Sequence, residues 1–135
     1  MRTAIEIALL LLSGLALVAV GLTGLVSPDS LFDPLGVALT SVAGRNEVRA
    51  AYGGMHLGLG ALLLSSAWRP AQRRAGLWLV AAFMGGLALG RFSSLLLDGA
   101  PGAFVVRLWI PEALAGIAAV VLLAKQRREH GPSAS

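Results

Sequence analysis

The sequence predicts an all-α protein built as a four-helix transmembrane bundle, and three observations carry this prediction. Of its 135 residues, 56% are hydrophobic and only 13% are charged, which is about half the charged fraction of an ordinary soluble domain. Four apolar runs each approach the length of about 20 residues that a lipid-spanning helix needs. Polar turns with proline or glycine separate these runs. We expect a single domain over residues 1–128 and a short cytoplasmic tail at 129–135.

The same composition argues against several classes of protein. A soluble enzyme, a disordered tail and a nucleic-acid-binding domain all need more charge than this chain carries, even though its net charge is +4. Nucleic acid is not an expected partner, because a basic surface on a soluble domain would be required. The chain has no cysteine, which excludes disulfides and thiolate chemistry. We expect no cofactor and no metal site, since His56 and Glu112 are only two candidate ligands.

The first predicted helix covers residues 4–26 and ends where Pro28 breaks the pattern. A signal peptide is the alternative, because Arg2 precedes an apolar core. We favour a retained helix, since the run exceeds the usual signal core of about 7–15 residues and contains Glu6. Residues 27–44 are expected to hold a short amphipathic helix whose apolar side chains lie against the bilayer surface. These side chains are Leu31, Phe32, Leu35, Val37 and Leu39.

The other three helices are predicted at residues 46–67, 75–97 and 104–124. A basic turn over residues 68–74 separates the second helix from the third, and a glycine- and proline-containing turn at 98–102 precedes the fourth. Pro111 lies inside the fourth predicted helix. Because proline has no N–H to donate, we expect a kink there that widens the outer half of the bundle.

The distribution of lysine and arginine predicts the orientation of the chain. Of the 11 basic residues, the larger group falls on the side of the two termini and the second turn, so the positive-inside rule places both termini in the cytoplasm. That group consists of Arg2, Arg69, Arg73, Arg74, Lys125, Arg127 and Arg128. The opposite side carries Arg45, Arg49, Arg91 and Arg107.

Glycine is abundant, with 17 residues, most of them inside the apolar runs. Gly54 and Gly58 form a small-residue pair on the second predicted helix, and Gly86 and Gly90 form another on the third. Three further glycines extend these faces: Gly53, Gly60 and Gly85. Such faces let helix backbones approach closely in lipid, and we expect these glycines to pack the helices of the bundle together. The alternative is a homodimer or a larger membrane complex through the same faces, and the sequence does not separate the two.

Ionisable residues within the apolar runs are the clearest indication of function. Each costs about 2.5–3.5 kcal/mol at the centre of a spanning helix, so they are expected to face inward. A rise of about 1.5 Å per residue places Arg49, Tyr52, Arg91 and Glu112 about 5–10 Å below the outer end and His56 about 15 Å below it. Glu112 can neutralise Arg91 or Arg49. The candidate ligand-binding residues are Arg49, Tyr52, His56, Arg91, Asp98, Arg107 and Glu112.

Two interpretations of this polar cluster stay open. It is either a buried ion-pair network that fixes helix register, or a pocket for an anionic or amphiphilic ligand with arginines as docking groups. We therefore predict a protein that binds a small amphiphile or lipid, or an accessory subunit of a membrane complex. The alternative is a membrane-embedded acid–base isomerase or oxidoreductase on a lipid-like substrate, with Glu112 and His56 as proton carriers. No residue is assigned as catalytic.

Several stretches resemble a bacterial four-helix membrane family catalogued only as a domain of unknown function. They are Asn46 to Gly60 (NEVRAAYGGMHLGLG), Gly90 to Leu95 (GRFSSL), Asp98 to Pro101 (DGAP) and the later Glu112. The resemblance implies a multi-pass protein of the bacterial inner membrane with four helices. It places Arg49, Tyr52, Arg91, Asp98 and Glu112 among recurring family positions and transfers no activity. A looser similarity to DoxX-like proteins is one of architecture only.

Overall fold

A computed structural model describes residues 1–129, and every regular element within them is helical, with no strand. The tail predicted at 129–135 lies, apart from Glu129, outside the described residues. Three helices in this part are long and apolar enough to cross a membrane: Thr3–Val26, Pro70–Asp98 and Ala103–Arg128, with mean hydropathies of 2.5, 1.6 and 1.9. The chain is therefore an all-helical protein with the helices of a membrane protein.

Helix α1 covers Arg2–Val26, and its end agrees with the sequence prediction. Pro28 starts the next helix instead of continuing α1, because proline is tolerated at the first helical position. Helix α2 is short, Pro28–Phe32, and leads into a single 3-10 turn, Asp33–Leu35. Gly36 ends that turn with a φ of +72°, a left-handed conformation that side chains with a Cβ seldom adopt. The predicted amphipathic segment is thus one short helix and one turn.

The second predicted span is a helical run in three parts. Helix α3 covers Val42–Val48, a π-helical turn covers Arg49–Gly54, and helix α4 covers Met55–Trp68. The run begins four residues before the predicted start at 46, because the Ser41 hydroxyl caps it by accepting the Gly44 N–H at 3.0 Å. Backbone angles stay in the right-handed helical region at both joints. The wide π turn therefore sits inside a continuous helix about 40 Å long.

The last two helices are longer than the apolar runs. Helix α5 covers Pro70–Asp98 and α6 covers Ala103–Glu129. The predicted basic turn at 68–74 shrinks to Arg69, whose backbone is extended, since Pro70 fits the first position of α5. Helix α6 continues past residue 124 because lysine, glutamine and arginine are good helix formers. It also continues through Pro111.

The helices pack as two strong pairs, α1 with α4 and α5 with α6, joined by a smaller contact between α4 and α5. Leu10, Leu63 and Leu77, each at most 1% exposed, form the centre of the core. Helices α1 and α6 make only a small contact with each other. The Gln126 side-chain amide donates to Glu6 at 3.0 Å, which joins α1 to α6 near the end that holds residues 1 and 129, here called the terminal end. Towards the opposite end, the loop end, a cleft separates α1 from α6.

Only some of the predicted glycines pack the helices together. A Cβ on Gly24 would lie 2.8 Å from the carbonyl carbon of Tyr52, and one on Gly60 would lie 2.9 Å from the carbonyl oxygen of Gly14. At Gly58, Gly86 and Gly90 a Cβ would meet nothing within 4 Å. The expectation was therefore wrong for the Gly54–Gly58 and Gly86–Gly90 pairs and right for Gly60, which packs against α1. The spacing of small residues shows a smooth helix face but not where that face points.

Candidate ligand-binding cavity

The cleft between α1 and α6 holds a cavity of about 700 Å³. Its long walls come from α1 and α6, while α2, the 3-10 turn, the π turn, α4 and α5 supply the remaining lining. On α1 the lining reaches from Leu9 to Val20, about 17 Å along the helix axis. The volume falls within the range of about 300–1,000 Å³ that is typical of small-molecule sites. The cavity is therefore large enough for an elongated ligand of modest size.

Most of the lining is apolar, and its polar side chains come mainly from the loop-end half. Four of the seven predicted ligand-binding residues line the cavity: Tyr52, His56, Arg91 and Glu112. Ser13 of α1, 5% exposed, also lines it. The polar residues come from the π turn, α4, α5 and α6, so no single stretch of sequence contains this cluster. We call Tyr52, His56, Arg91 and Glu112 the polar cluster.

An ion pair joins α5 to α6 within the polar cluster. Arg91 Nε lies 2.6 Å from Glu112 Oε2, and Arg91 Nη2 lies 2.9 Å from Glu112 Oε1. The two side chains are 25% and 15% exposed. Because both carboxylate oxygens accept from one guanidinium, the pair is bidentate and its two charges offset each other. Of the two partners expected for Glu112, the structure selects Arg91.

His56 is held by the π turn. It is 7% exposed, and its Nδ1 lies 2.8 Å from the carbonyl oxygen of Ala51. The wide turn pairs the Met55 N–H with the carbonyl of Ala50, five residues back, and the imidazole reaches Ala51 beside it. A carbonyl oxygen only accepts, so Nδ1 carries the proton of this bond. The interaction sets both the ring orientation and the tautomer.

Aromatic rings surround His56 on two sides. Tyr52 stacks on the imidazole with centroids 5.4 Å apart and planes 14° apart, and Phe83 meets it edge-on at 5.5 Å. Phe32 of α2 meets Tyr52 edge-on at 5.1 Å. Each such pair contributes about 0.5–1.5 kcal/mol beyond its buried area. The stack connects α2, the π turn, α4 and α5 beside the cavity.

Three predicted site residues lie outside the cavity lining: Arg49, Asp98 and Arg107. Arg49 Nε donates to the carbonyl of Leu25 at 3.1 Å, which ties the π turn to the end of α1. Asp98 accepts a hydrogen bond of 2.8 Å from Ser94 on its own helix, and Arg107 is exposed. Counting residues from a helix end gave their depth but not their direction around the helix axis.

Sequence reasoning missed the contribution of α2 to the site. Leu31, Phe32 and Leu35, which were expected against the bilayer surface, line the cavity. An ion pair between Arg45 Nε and Asp29 Oδ2 at 3.2 Å, each side chain about two-fifths exposed, links α2 to α3. The sequence predicted a short amphipathic helix within residues 27–44. No local pattern showed which neighbouring helix the apolar side chains of that segment would meet. Phe83 was missed for the same reason.

The fold and the cavity define an all-helical protein with membrane-type helices and a mostly apolar site that contains a polar cluster. Within residues 1–129 no group of three or more histidine, aspartate or glutamate side chains is placed to hold a metal ion. The chain belongs to the family described as "Domain of unknown function (DUF4345)", whose model matches residues 5–123. No curated protein and no solved structure matches it.

Proposed function

We propose that this chain is a four-helix bundle of the bacterial inner membrane and that it binds a small amphiphile or lipid in the α1–α6 cavity. The observation that supports this most is a cavity of about 700 Å³ with mostly apolar walls and a polar cluster among them. An amphiphile needs both environments in one site, with its chain along the walls and its head at the cluster. The DoxX-like resemblance remains one of architecture and adds no activity.

The geometry of Glu112 favours binding over catalysis. Both of its carboxylate oxygens accept hydrogen bonds from Arg91, at 2.6 and 2.9 Å, so proton abstraction by Glu112 would require this ion pair to open. The alternative of an acid–base isomerase or oxidoreductase on a lipid-like substrate needs a group that is available to exchange protons. A ligand-binding role makes no such demand on the pair.

The outward-facing glycines support a second candidate, an accessory subunit or homodimer. Gly58, Gly86 and Gly90 have open space where a Cβ would lie, so a neighbouring transmembrane helix could approach their backbones closely. This role is compatible with ligand binding, because these glycines do not line the cavity.

The proposed topology places both termini in the cytoplasm and the polar cluster in the outer half of the membrane. A reporter that is active only in the cytoplasm should therefore give signal when fused after Ser135. The same reporter inserted between Gly99 and Gly102, at the loop end, should be silent, and a reporter that requires the periplasm should show the reverse pattern at both positions. A periplasmic signal after Ser135 would contradict the orientation.

The cavity itself can be tested by blocking it. Native mass spectrometry of protein extracted in a mild detergent should show a small-molecule or lipid adduct on the wild-type chain. Ala16 lines the cavity and is exposed to it, so Ala16→Trp should remove the adduct by filling the space. Ala19 is exposed on the same helix outside the lining, so Ala19→Trp is the matched control and should keep it.

Three outcomes would redirect the proposal. Wild-type protein that is free of adduct in repeated preparations would contradict ligand binding and favour a purely structural ion-pair network. A mass that corresponds to a dimer or to a second protein would favour the subunit role. An adduct that survives in Ala16→Trp would show that a ligand binds elsewhere on the chain.

A further inference from the structure

We infer that the cavity selects an amphiphile with an uncharged, hydroxyl-bearing head group. This inference rests on the proposed function, because it names the ligand class for the same cavity. It differs from the sequence-based expectation of an anionic ligand docked by several arginines. The reasons are the charge balance of the polar cluster and the hydrogen bond that fixes His56.

The charge balance disfavours an ionised head group. Among the described residues that line the cavity, Arg91 and Glu112 carry the formal charges, and they pair through two hydrogen bonds of 2.6 and 2.9 Å. Because the pair is already neutral, an anionic head at Arg91 would add a negative charge that no other described lining residue offsets, and a cationic head at Glu112 would add a positive one. Either ligand would leave an uncompensated charge in a largely apolar cavity, and such a charge is costly there.

The tautomer of His56 leaves one ring nitrogen as a hydrogen-bond acceptor, so the site favours a ligand that donates a hydrogen bond. Since Nδ1 donates to the Ala51 carbonyl at 2.8 Å, Nε2 is the ring nitrogen left for a ligand, and in neutral imidazole it is an acceptor. Arg91 adds hydrogen-bond donors to this acceptor. A guanidinium has five N–H groups, and the Glu112 pair uses two of them, so the others can donate to a ligand oxygen. A hydroxyl is the smallest neutral group that both donates and accepts.

The shape of the cavity describes the rest of the ligand. Apolar side chains of α1 and α6 form walls that extend about 17 Å along α1, which suits a single alkyl or prenyl chain. Long-chain alcohols, monoacylglycerols and alkyl phenols share this chemistry of one apolar chain and a neutral hydroxyl head. The experiment below uses the simplest member of the class.

The test compares three probes that share a twelve-carbon chain: dodecan-1-ol, its methyl ether and dodecane-1-sulfonate. Binding to the delipidated full-length chain in detergent is measured by native mass spectrometry. The alcohol should bind about three- to tenfold more tightly than the ether, which cannot donate to Nε2. It should bind at least about tenfold more tightly than the sulfonate, whose charge is fixed. In His56→Phe, which retains an aromatic ring beside Tyr52 and Phe83 but has no acceptor, the alcohol and the ether should bind equally.

The controls separate the two proposals. If Ala16→Trp binds the alcohol as well as the wild type and Ala19→Trp do, the cavity is not the site and the proposed function fails. If Ala16→Trp loses binding but wild-type protein binds the ether or the sulfonate as tightly as the alcohol, the cavity stands and the head-group inference fails. The comparison of probes on the wild-type chain decides this even if His56→Phe does not fold.

Discussion

Replacing Glu112 with glutamine should lower the free energy of unfolding in detergent by about 3 kcal/mol. Removing one partner of a buried ion pair leaves the other charge without compensation, which typically costs about 3–5 kcal/mol. We expect the lower end of this range because Arg91 and Glu112 are 25% and 15% exposed. Thermal or denaturant unfolding followed by circular dichroism measures the effect.

The control is the double variant Arg91→Met, Glu112→Met. Replacing both charges with apolar side chains of similar length removes the desolvation cost together with the attraction, so the double variant should be more stable than either Glu112→Gln or Arg91→Met alone. A double-mutant cycle of Arg91→Met, Glu112→Met and the double variant then gives the coupling energy. Single variants with losses below about 0.5 kcal/mol would mean that the pair behaves like an exposed salt bridge.

Replacing Gly24 with alanine should destabilise the fold by about 1–3 kcal/mol. A Cβ at this position would lie 2.8 Å from the carbonyl carbon of Tyr52 and 2.9 Å from the nitrogen of Gly53. Both atoms belong to the backbone of the π turn, so no side-chain rotation can relieve the contact. The α1 helix would have to move away from the π turn, and overpacking of this kind usually costs that amount.

Gly58→Ala is the matched control for Gly24→Ala. Its added Cβ would meet nothing within 4 Å, and alanine is better than glycine in a helix interior by up to about 1 kcal/mol. This variant should therefore be at least as stable as the wild type, whereas Gly24→Ala should be less stable. The same unfolding measurement checks both. Equal and small effects at the two positions would contradict the packing of α1 on the π turn.

The all-α fold class and the set of polar residues within the apolar helices could be predicted from the sequence, because both depend on local properties. Apolar runs of spanning length predicted the helices, and Tyr52, His56, Arg91 and Glu112 stood out as polar residues within those runs. The cost of exposing such groups to lipid required them to turn inward. The pairing of Arg91 with Glu112 was one of two alternatives that this reasoning left open.

The π turn at Arg49–Gly54 could not have been predicted in the same way. Its residues fit an ordinary α-helix, and the close approach of α1 to this segment at Gly24 and Gly53 is visible only in the folded chain. The position of α2 is similar, because Phe32 lines the cavity beside Tyr52, whose ring centroid lies 5.1 Å away and whose sequence position is distant. Contacts between residues distant in sequence determined these features.

The sequence by itself determined that this chain forms long apolar helices and that a few polar side chains must find partners between them. Both results follow from hydrophobicity and from the cost of burying charge, which act residue by residue. The tertiary structure alone decided which polar residues meet, since rotation about each helix axis separates Arg49 and Arg107 from the cavity that Arg91 and Glu112 line. It also decided that α1 and α6 stand apart to form that cavity.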